Sequence, residues 1–436
     1  YSIQQQVIPL LLFCRGEMMN YLETRRWLSN RPASDLENGV ARVNWLLERL
    51  DNPQHRVPTV HFVGTNGKGS TLNALQFIMQ TSGYTVGRFT SPSIIDFREQ
   101  IVFEQEMISE EDFARIVTDL QPLIDNLDQT AELDAISEFE IVVVAMFVYF
   151  AHYQHPDILL VEAGMGGLLD ATNVLSPLAV VCPSIGLDHK SFLGETHAAI
   201  AHHKVAVLRE RVPLLYATDQ PEVEAVFEDH ASQLQSPTYE VGREIVLENR
   251  RAGFAVSSPF GRVEDLRLQM RGRHQEVNAA LAVTTAQLLS SHFPKIINET
   301  ISQGLSQAIW PGRLELMKPT LMIDGAHNNE SIAVLTQLLE ENYADRDIEI
   351  LFAAINTKPV DQMLSKLSQF GPVSVTTFDD FRAVQLDDYP SGYERVQTYQ
   401  EWLEQADLDN PKKLYLITGS LYFITYVRKY ILEELI

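Results

Sequence analysis

An amine and two hydroxyls set among glycines open the chemistry of this chain: Gly64-Thr65-Asn66-Gly67-Lys68-Gly69-Ser70-Thr71. Those residue types are the equipment for holding a polyphosphate. Unpaired N–H groups at a helix start, with the positive end of its dipole, attract phosphate oxygens, and glycines let the backbone approach them without a Cβ in the way. Lys68 then reaches the terminal phosphates, and the Ser70 or Thr71 hydroxyl holds Mg2+. An extra glycine between the lysine and the hydroxyl makes the loop a variant of the usual nucleotide loop. A second chemical position is Glu162. Asp157-Ile158-Leu159-Leu160-Val161-Glu162 is an apolar run that ends in an acid and passes at once into Ala163-Gly164-Met165-Gly166-Gly167. The carboxylate therefore belongs at the carboxyl end of a buried strand, where open α/β sheets bind ligands. Hydroxyl and carboxylate oxygens are the hard donors Mg2+ takes, so Ser70 and Glu162 are the expected metal pair. His197, His202 and His203 read as solvated helix positions, because no cysteine or carboxylate completes a zinc signature.

Strand-loop-helix units must position these groups. Residues 60–63 continue a buried-strand pattern begun at Pro58 and Thr59, and Leu72, Leu75, Ile78 and Met79 recur at helical spacing behind the loop. Apolar runs at 158–161, 178–182 and 214–217 alternate with helical patterns, the signature of a mostly parallel sheet covered by helices. Residues 239–271 break that rhythm with shorter alternating pieces, which read as antiparallel strands at the sheet edge, and 125–137 reads as a helix-flanking loop. A second strand-and-helix series follows Trp310-Pro311-Gly312, with strands at 320–323, 348–353, 373–377 and 414–417. The expected fold class is α/β: an N-terminal extension (1–18), a P-loop ATPase-type domain with a mostly parallel sheet plus a small antiparallel edge sheet (19–308), and a C-terminal Rossmann-like α/β domain (309–436). The last lacks the dinucleotide glycine fingerprint.

With 436 residues, 45% hydrophobic and 21% charged, the chain has enough apolar content for two or three globular domains. A formal net charge of −24 argues against a broad nucleic-acid or anionic-membrane surface. Anionic small molecules remain compatible, held by local loops, metal ions and a few arginines. Cys14 and Cys182 offer neither metal spacing nor a disulfide framework, which fits a reducing, cytoplasmic setting. The apolar stretch 7–13 is too short to span a bilayer and has no basic lead-in or cleavage site, so neither a transmembrane helix nor a signal peptide is expected.

The loop at 64–70 resembles the nucleotide loop of the folylpolyglutamate synthase and dihydrofolate synthase family, a branch of the Mur ligases. The likeness continues through Asn38-Gly39-Val40-Ala41-Arg42-Val43, Thr90-Ser91-Pro92, Glu162-Ala163-Gly164-Met165-Gly166-Gly167 with Asp170-Ala171-Thr172-Asn173, and Leu187-Asp188-His189. It ends with Trp310-Pro311-Gly312-Arg313, Ile323-Asp324-Gly325-Ala326-His327-Asn328 and Ile417-Thr418-Gly419-Ser420. The resemblance implies a monomeric ATP-dependent ligase using Mg2+ at two sites, with K+ as a further cation, and folate and L-glutamate as substrates. It implies that His189 holds the second Mg2+ and that Lys204, fifteen positions after His189, is carbamylated. Carbamylation turns a cationic tip into an anion able to face a divalent metal. By the same resemblance Asn278 meets the adenine, Arg313 the phosphates and Asp324 the ribose, while His327 and Ser420 serve incoming glutamate and active-site closure. Three departures stand out: Val205-Ala206-Val207 for the common Ala-Gly-Ile, Leu168 where much of the family has arginine, and Arg98-Glu99-Gln100 for Asn-Glu-Arg. The implied reaction makes an acyl phosphate from a folate carboxylate and ATP, then an amide with glutamate, releasing ADP and phosphate. Lengthening the tail of tetrahydrofolate is the expected activity. Glutamate addition to dihydropteroate, alone or as a second activity, is the nearest alternative; an ATP-binding regulatory module or a nucleotide-hydrolysing switch would keep the loop and need no amino-acid site.

Overall fold

The computed structural model describes residues 18–33, 37–93, 96–130, 132–250, 253–270 and 272–435. The apolar stretch 7–13 and Cys14 lie outside the described residues. The chain divides into two compact units, one made of Tyr1–Arg267 and Val277–Gln307, the other of Leu268–Glu276 and Ala308–Ile436. Among the described residues no helix is long and apolar enough to cross a membrane.

In the first unit β1 (Thr59–Phe62), β2 (Val86–Phe89), β3 (Ile101–Phe103), β4 (Glu106–Met107), β5 (Ile158–Glu162), β6 (Ala179–Cys182), β7 (Leu214–Tyr216) and β8 (Thr238–Glu240) form one sheet in the order β4-β3-β2-β5-β1-β6-β7-β8. β1 lies parallel between β5 and β6, and all four of its residues are buried, as a strand covered on both faces requires. Beyond Glu240 the pieces between 239 and 271 do not line the edge of this sheet. Its last strand, β8, pairs parallel with β7, while β9 (Val246–Arg250), β10 (Gly253–Ser258) and β11 (Gly261–Leu266) make a separate three-stranded antiparallel sheet. The antiparallel edge of the main sheet is the β3–β4 pair, whose three- and two-residue strands are too short to show an alternation. The polar stretch 125–137 is helical at its start, since the helix Glu110–Asp128 carries on past Pro122, and Ser137 caps the next helix, Glu138–Tyr149.

The second unit holds β12 (Glu315–Lys318), β13 (Leu321–Ile323), β14 (Asp347–Phe352), β15 (Val373–Val375), β16 (Glu394–Arg395) and β17 (Lys413–Thr418), ordered β12-β13-β17-β14-β15-β16 and parallel except for β12. Alternate strand residues feed two cores. Ile350 and Leu416 pack with Leu335, Leu339, Met363 and Leu364 of the helices that follow β13 and β14. Leu351 and Ile417 pack with Trp402, Phe423 and Ile424, so the helix after β17 covers the opposite face. Neighbouring strands that hand over to opposite faces mark the switch point where open α/β sheets bind ligands, and Ser420 follows β17 there.

Candidate active site

The phosphate loop is tied down on the β6 side. Val63 N–H donates to Val181 O at 3.0 Å, Thr65 N–H to Ser184 O at 2.9 Å, and Asn66 N–H to Ser184 Oγ at 3.0 Å. Gly67 then caps the helix Lys68–Thr81 with a left-handed φ of +87°. A Cβ there would lie 2.6 Å from Asn278 Oδ1 and 3.0 Å from Pro183 Cβ, so both conformation and space demand glycine. Asn278 thus packs on the loop itself. Lys68 Nζ donates to Gly64 O at 3.0 Å and to Thr65 O at 3.3 Å. Ser70 and Thr71 are buried on the first turn of the helix, and the Thr71 hydroxyl has no hydrogen-bond partner among the described residues.

β5 runs in register with β1, pairing Glu162 with Phe62, and so delivers the acid beside the start of the loop. Glu162 is 7% exposed, and one carboxylate oxygen lies 3.7 Å from Lys68 Nζ. A buried carboxylate and the Ser70 hydroxyl are an all-oxygen donor set, the chemistry that suits Mg2+. His189 is different: it has φ +51° at the start of a four-residue helix, its side chain is half exposed, and Nε2 lies 3.9 Å from Asp188 Oδ2. Among the described residues no three histidine, cysteine, aspartate or glutamate side chains gather as a metal site, and His197, His202 and His203 form none.

Lys204 is only 5% exposed, and its Nζ donates to Gly64 O at 2.8 Å, the same oxygen that Lys68 uses. Burial, with the Lys68 charge second, pulls its pKa from 10.5 down to about 7. The loop after β5 reaches this helix closely: a Cβ on Gly167 would sit 2.6 Å from His203 O and 2.7 Å from Lys204 O, and Leu168 N–H donates to His203 O at 2.7 Å. Asp170 holds that loop, accepting the N–H groups of Met165 at 2.7 Å and Thr172 at 2.9 Å.

In the second unit Asp324 is buried and accepts the N–H of Leu314 at 2.8 Å and of Ala326 at 2.9 Å, which fixes the turns on either side of β12 and β13. Burial raises its pKa above the ordinary carboxylate value, and the half-buried Arg313 opposes that rise. His327 Nδ1 donates to Gly325 O at 2.9 Å, which fixes the orientation of the ring. Ser420 is 2% exposed and begins the helix Leu421–Tyr430 without a side-chain capping bond. The sequence reading passed over Arg88, whose guanidinium lies near Glu99 and Glu162. Its signal was an arginine inside the otherwise apolar strand Val86-Gly87-Arg88-Phe89.

No family model matches the chain. The dihydrofolate synthase/folylpolyglutamate synthase of Bacillus subtilis is 35% identical over 426 residues, covering 94% of this chain and 98% of that protein. The chain belongs to the folylpolyglutamate synthase and dihydrofolate synthase family. Solved structures of folylpolyglutamate synthases share its two-domain α/β fold. A complex with AMPPCP and folate superposes with a TM-score of 0.81 at 29% identity, covering 95% of this chain and 100% of that one. The Mycobacterium tuberculosis enzyme with ADP gives 0.83 at 25% identity, covering 94% and 97%. The family resemblance and the α/β fold expected from sequence both hold.

Proposed function

We propose that this chain is an ATP-dependent folylpolyglutamate synthase that adds L-glutamate to a tetrahydrofolate tail and releases ADP and phosphate. The observation that carries the reading is the convergence of Lys68, Lys204 and Gly64 O beneath a glycine loop beside the buried acid Glu162. It is supported by whole-length relatives of that activity and by the solved complex with a nucleotide analogue and folate.

A folate carboxylate oxygen attacks the γ-phosphorus, the bond to ADP breaks, and an acyl phosphate results. Glutamate's amine then attacks the acyl carbon, phosphate leaves and the amine gives up a proton. Both partners in the first step are anions, so fixed positive charge and oriented N–H groups are what lower its barrier. Lys68 and the loop N–H groups supply these in the first unit, and Arg313 in the second. Mg2+, held by Ser70 and Glu162 with His189 serving a second ion, would neutralise phosphate charge. Lys204, neutral in part near pH 7, adds through Nζ to the carbon of CO2 and sheds a proton; the carbamate then puts an anion beside Lys68 in place of a second cation. Asn278 serves the nucleotide from above Gly67, Asp324 orders the turn carrying Arg313, and His327 and Ser420 receive glutamate. The protein works as a cytoplasmic monomer, with K+ as an accessory cation.

Dihydropteroate glutamylation is the second reading, favoured by the two activities named for the Bacillus subtilis relative. Leu168, 46% exposed, offers no guanidinium for an anionic group at that place. Tetrahydrofolate is therefore the preferred acceptor. The test is ADP release with each substrate omitted in turn. Release strictly dependent on both folate and glutamate is expected; release with ATP alone marks a hydrolysing switch, and binding without turnover marks a regulatory module.

A further inference from the structure

Arg88 is the third residue of β2 and stands in register with Leu160 of β5. Side chains alternate along a strand, so Arg88, Leu160 and Glu162 share one face of the sheet, with Phe62 of β1 beside Glu162. The helix Lys68–Thr81 covers that face. Its Gln76 accepts from Arg88 Nη1 at 3.1 Å and is itself fixed by donating to Glu104 O at 2.7 Å. The other charges acting on the guanidinium are Glu162 and Glu99, the latter in the turn Phe97–Gln100, where it also accepts Asp96 N–H at 3.2 Å. Taking a guanidinium this far out of water is costly, and an aliphatic side chain would fill the strand position without that cost.

Glu162 therefore feels two cations, Lys68 at 3.7 Å and Arg88 on the same face of the neighbouring strand. Its distance of 3.7 Å from Lys68 is too long for a hydrogen bond, although a buried ammonium and carboxylate this close attract strongly. Lys68 instead donates to the carbonyls of Gly64 and Thr65. We propose that Arg88 is a positioning residue that draws the Glu162 carboxylate away from Lys68, keeping the acid presented to Mg2+ and the lysine presented to phosphate. The inference rests on the reading of Glu162 as a metal ligand.

The test compares Arg88→Met, Arg88→Gln and Arg88→Lys with Glu162→Gln in the full-length protein. In metal-free crystals of Arg88→Met or Arg88→Gln the Lys68–Glu162 contact shortens from 3.7 Å to about 2.8 Å, the length of a charge-assisted hydrogen bond. The Mg2+ concentration for half-maximal binding of AMPPCP, read by calorimetry, rises about 10-fold, the usual effect of losing a partner that orients a ligand. kcat falls with it while KM for folate holds, and Arg88→Lys recovers most of both losses. If Glu162→Gln raises the Mg2+ requirement but folded Arg88→Met and Arg88→Gln do not, or Arg88→Lys is no better than they are, the role of Arg88 is wrong and the metal reading stands. An unchanged requirement in Glu162→Gln overturns the metal reading and the inference with it.

Discussion

Lys68 and Lys204 both donate to the carbonyl oxygen of Gly64, at 3.0 and 2.8 Å, and the consequences differ for the two amines. Lys68 is poised on the loop to move to phosphate, so Lys68→Ala should cost turnover by about two to four orders of magnitude, roughly 3–5 kcal/mol of barrier, in a protein that still folds. Steady-state kinetics check this, and a near-normal rate removes Lys68 from the mechanism. Lys204 has a folded-state pKa of about 7, below its ordinary 10.5, because of burial first and Lys68 second. The fold therefore favours its neutral form. The stability that a neutral amine keeps is fully present above the unfolded-state pKa and is lost as pH falls toward about 7, below which the penalty is constant. In CO2-free buffer Lys204→Met should be the more stable protein near neutral pH, with its advantage closing as pH rises toward about 10. Melting curves across that range decide it: a pH-independent gap contradicts a buried, unmodified amine. Lys68 was legible because its partners are its chain neighbours. The burial of Lys204 was not, since it follows His202 and His203 in an outwardly polar run and is covered by segments distant in sequence, the loop at Gly64 and the loop at Gly167.

At the scale of elements, strands built around an apolar run announced themselves: β1, β5, β6 and β17 lie within a residue or two of their expected ends. So did the three-residue strands β7, β13 and β15, but others did not. β3, β4 and β8 are two or three residues long, and whether β9–β11 join a sheet or form their own depends on hydrogen bonds between distant segments, which local alternation does not encode. The loop-to-helix junction is the element on which the nucleotide site depends. Gly67→Ala forces a side chain into a left-handed conformation and against Asn278, so it should weaken nucleotide binding by about tenfold or more, with strain costing about 1–2 kcal/mol. Calorimetry with AMPPCP measures it, and unaltered affinity would mean that the loop does not need its present path.

For the whole molecule, the sequence carried the α/β class, while the assignment of Leu268–Glu276 to the second unit came only from packing. The acidic net charge of −24 is compatible with anionic substrates because the cations are local: Lys68 and Arg88 lie in the same unit around one loop and one strand end. What the sequence left least defined is the acceptor, which hangs on Leu168 and the surfaces near it. The most direct measurement is a product analysis by mass spectrometry, with ATP, Mg2+ and glutamate supplied to tetrahydrofolate and to dihydropteroate in parallel. The account predicts tetrahydrofolate lengthened by one or more glutamyl residues, one ADP for each, and a much lower kcat/KM for dihydropteroate. Equal kcat/KM for the two would make the enzyme bifunctional, and ADP formed without any glutamylated folate would contradict the ligase itself.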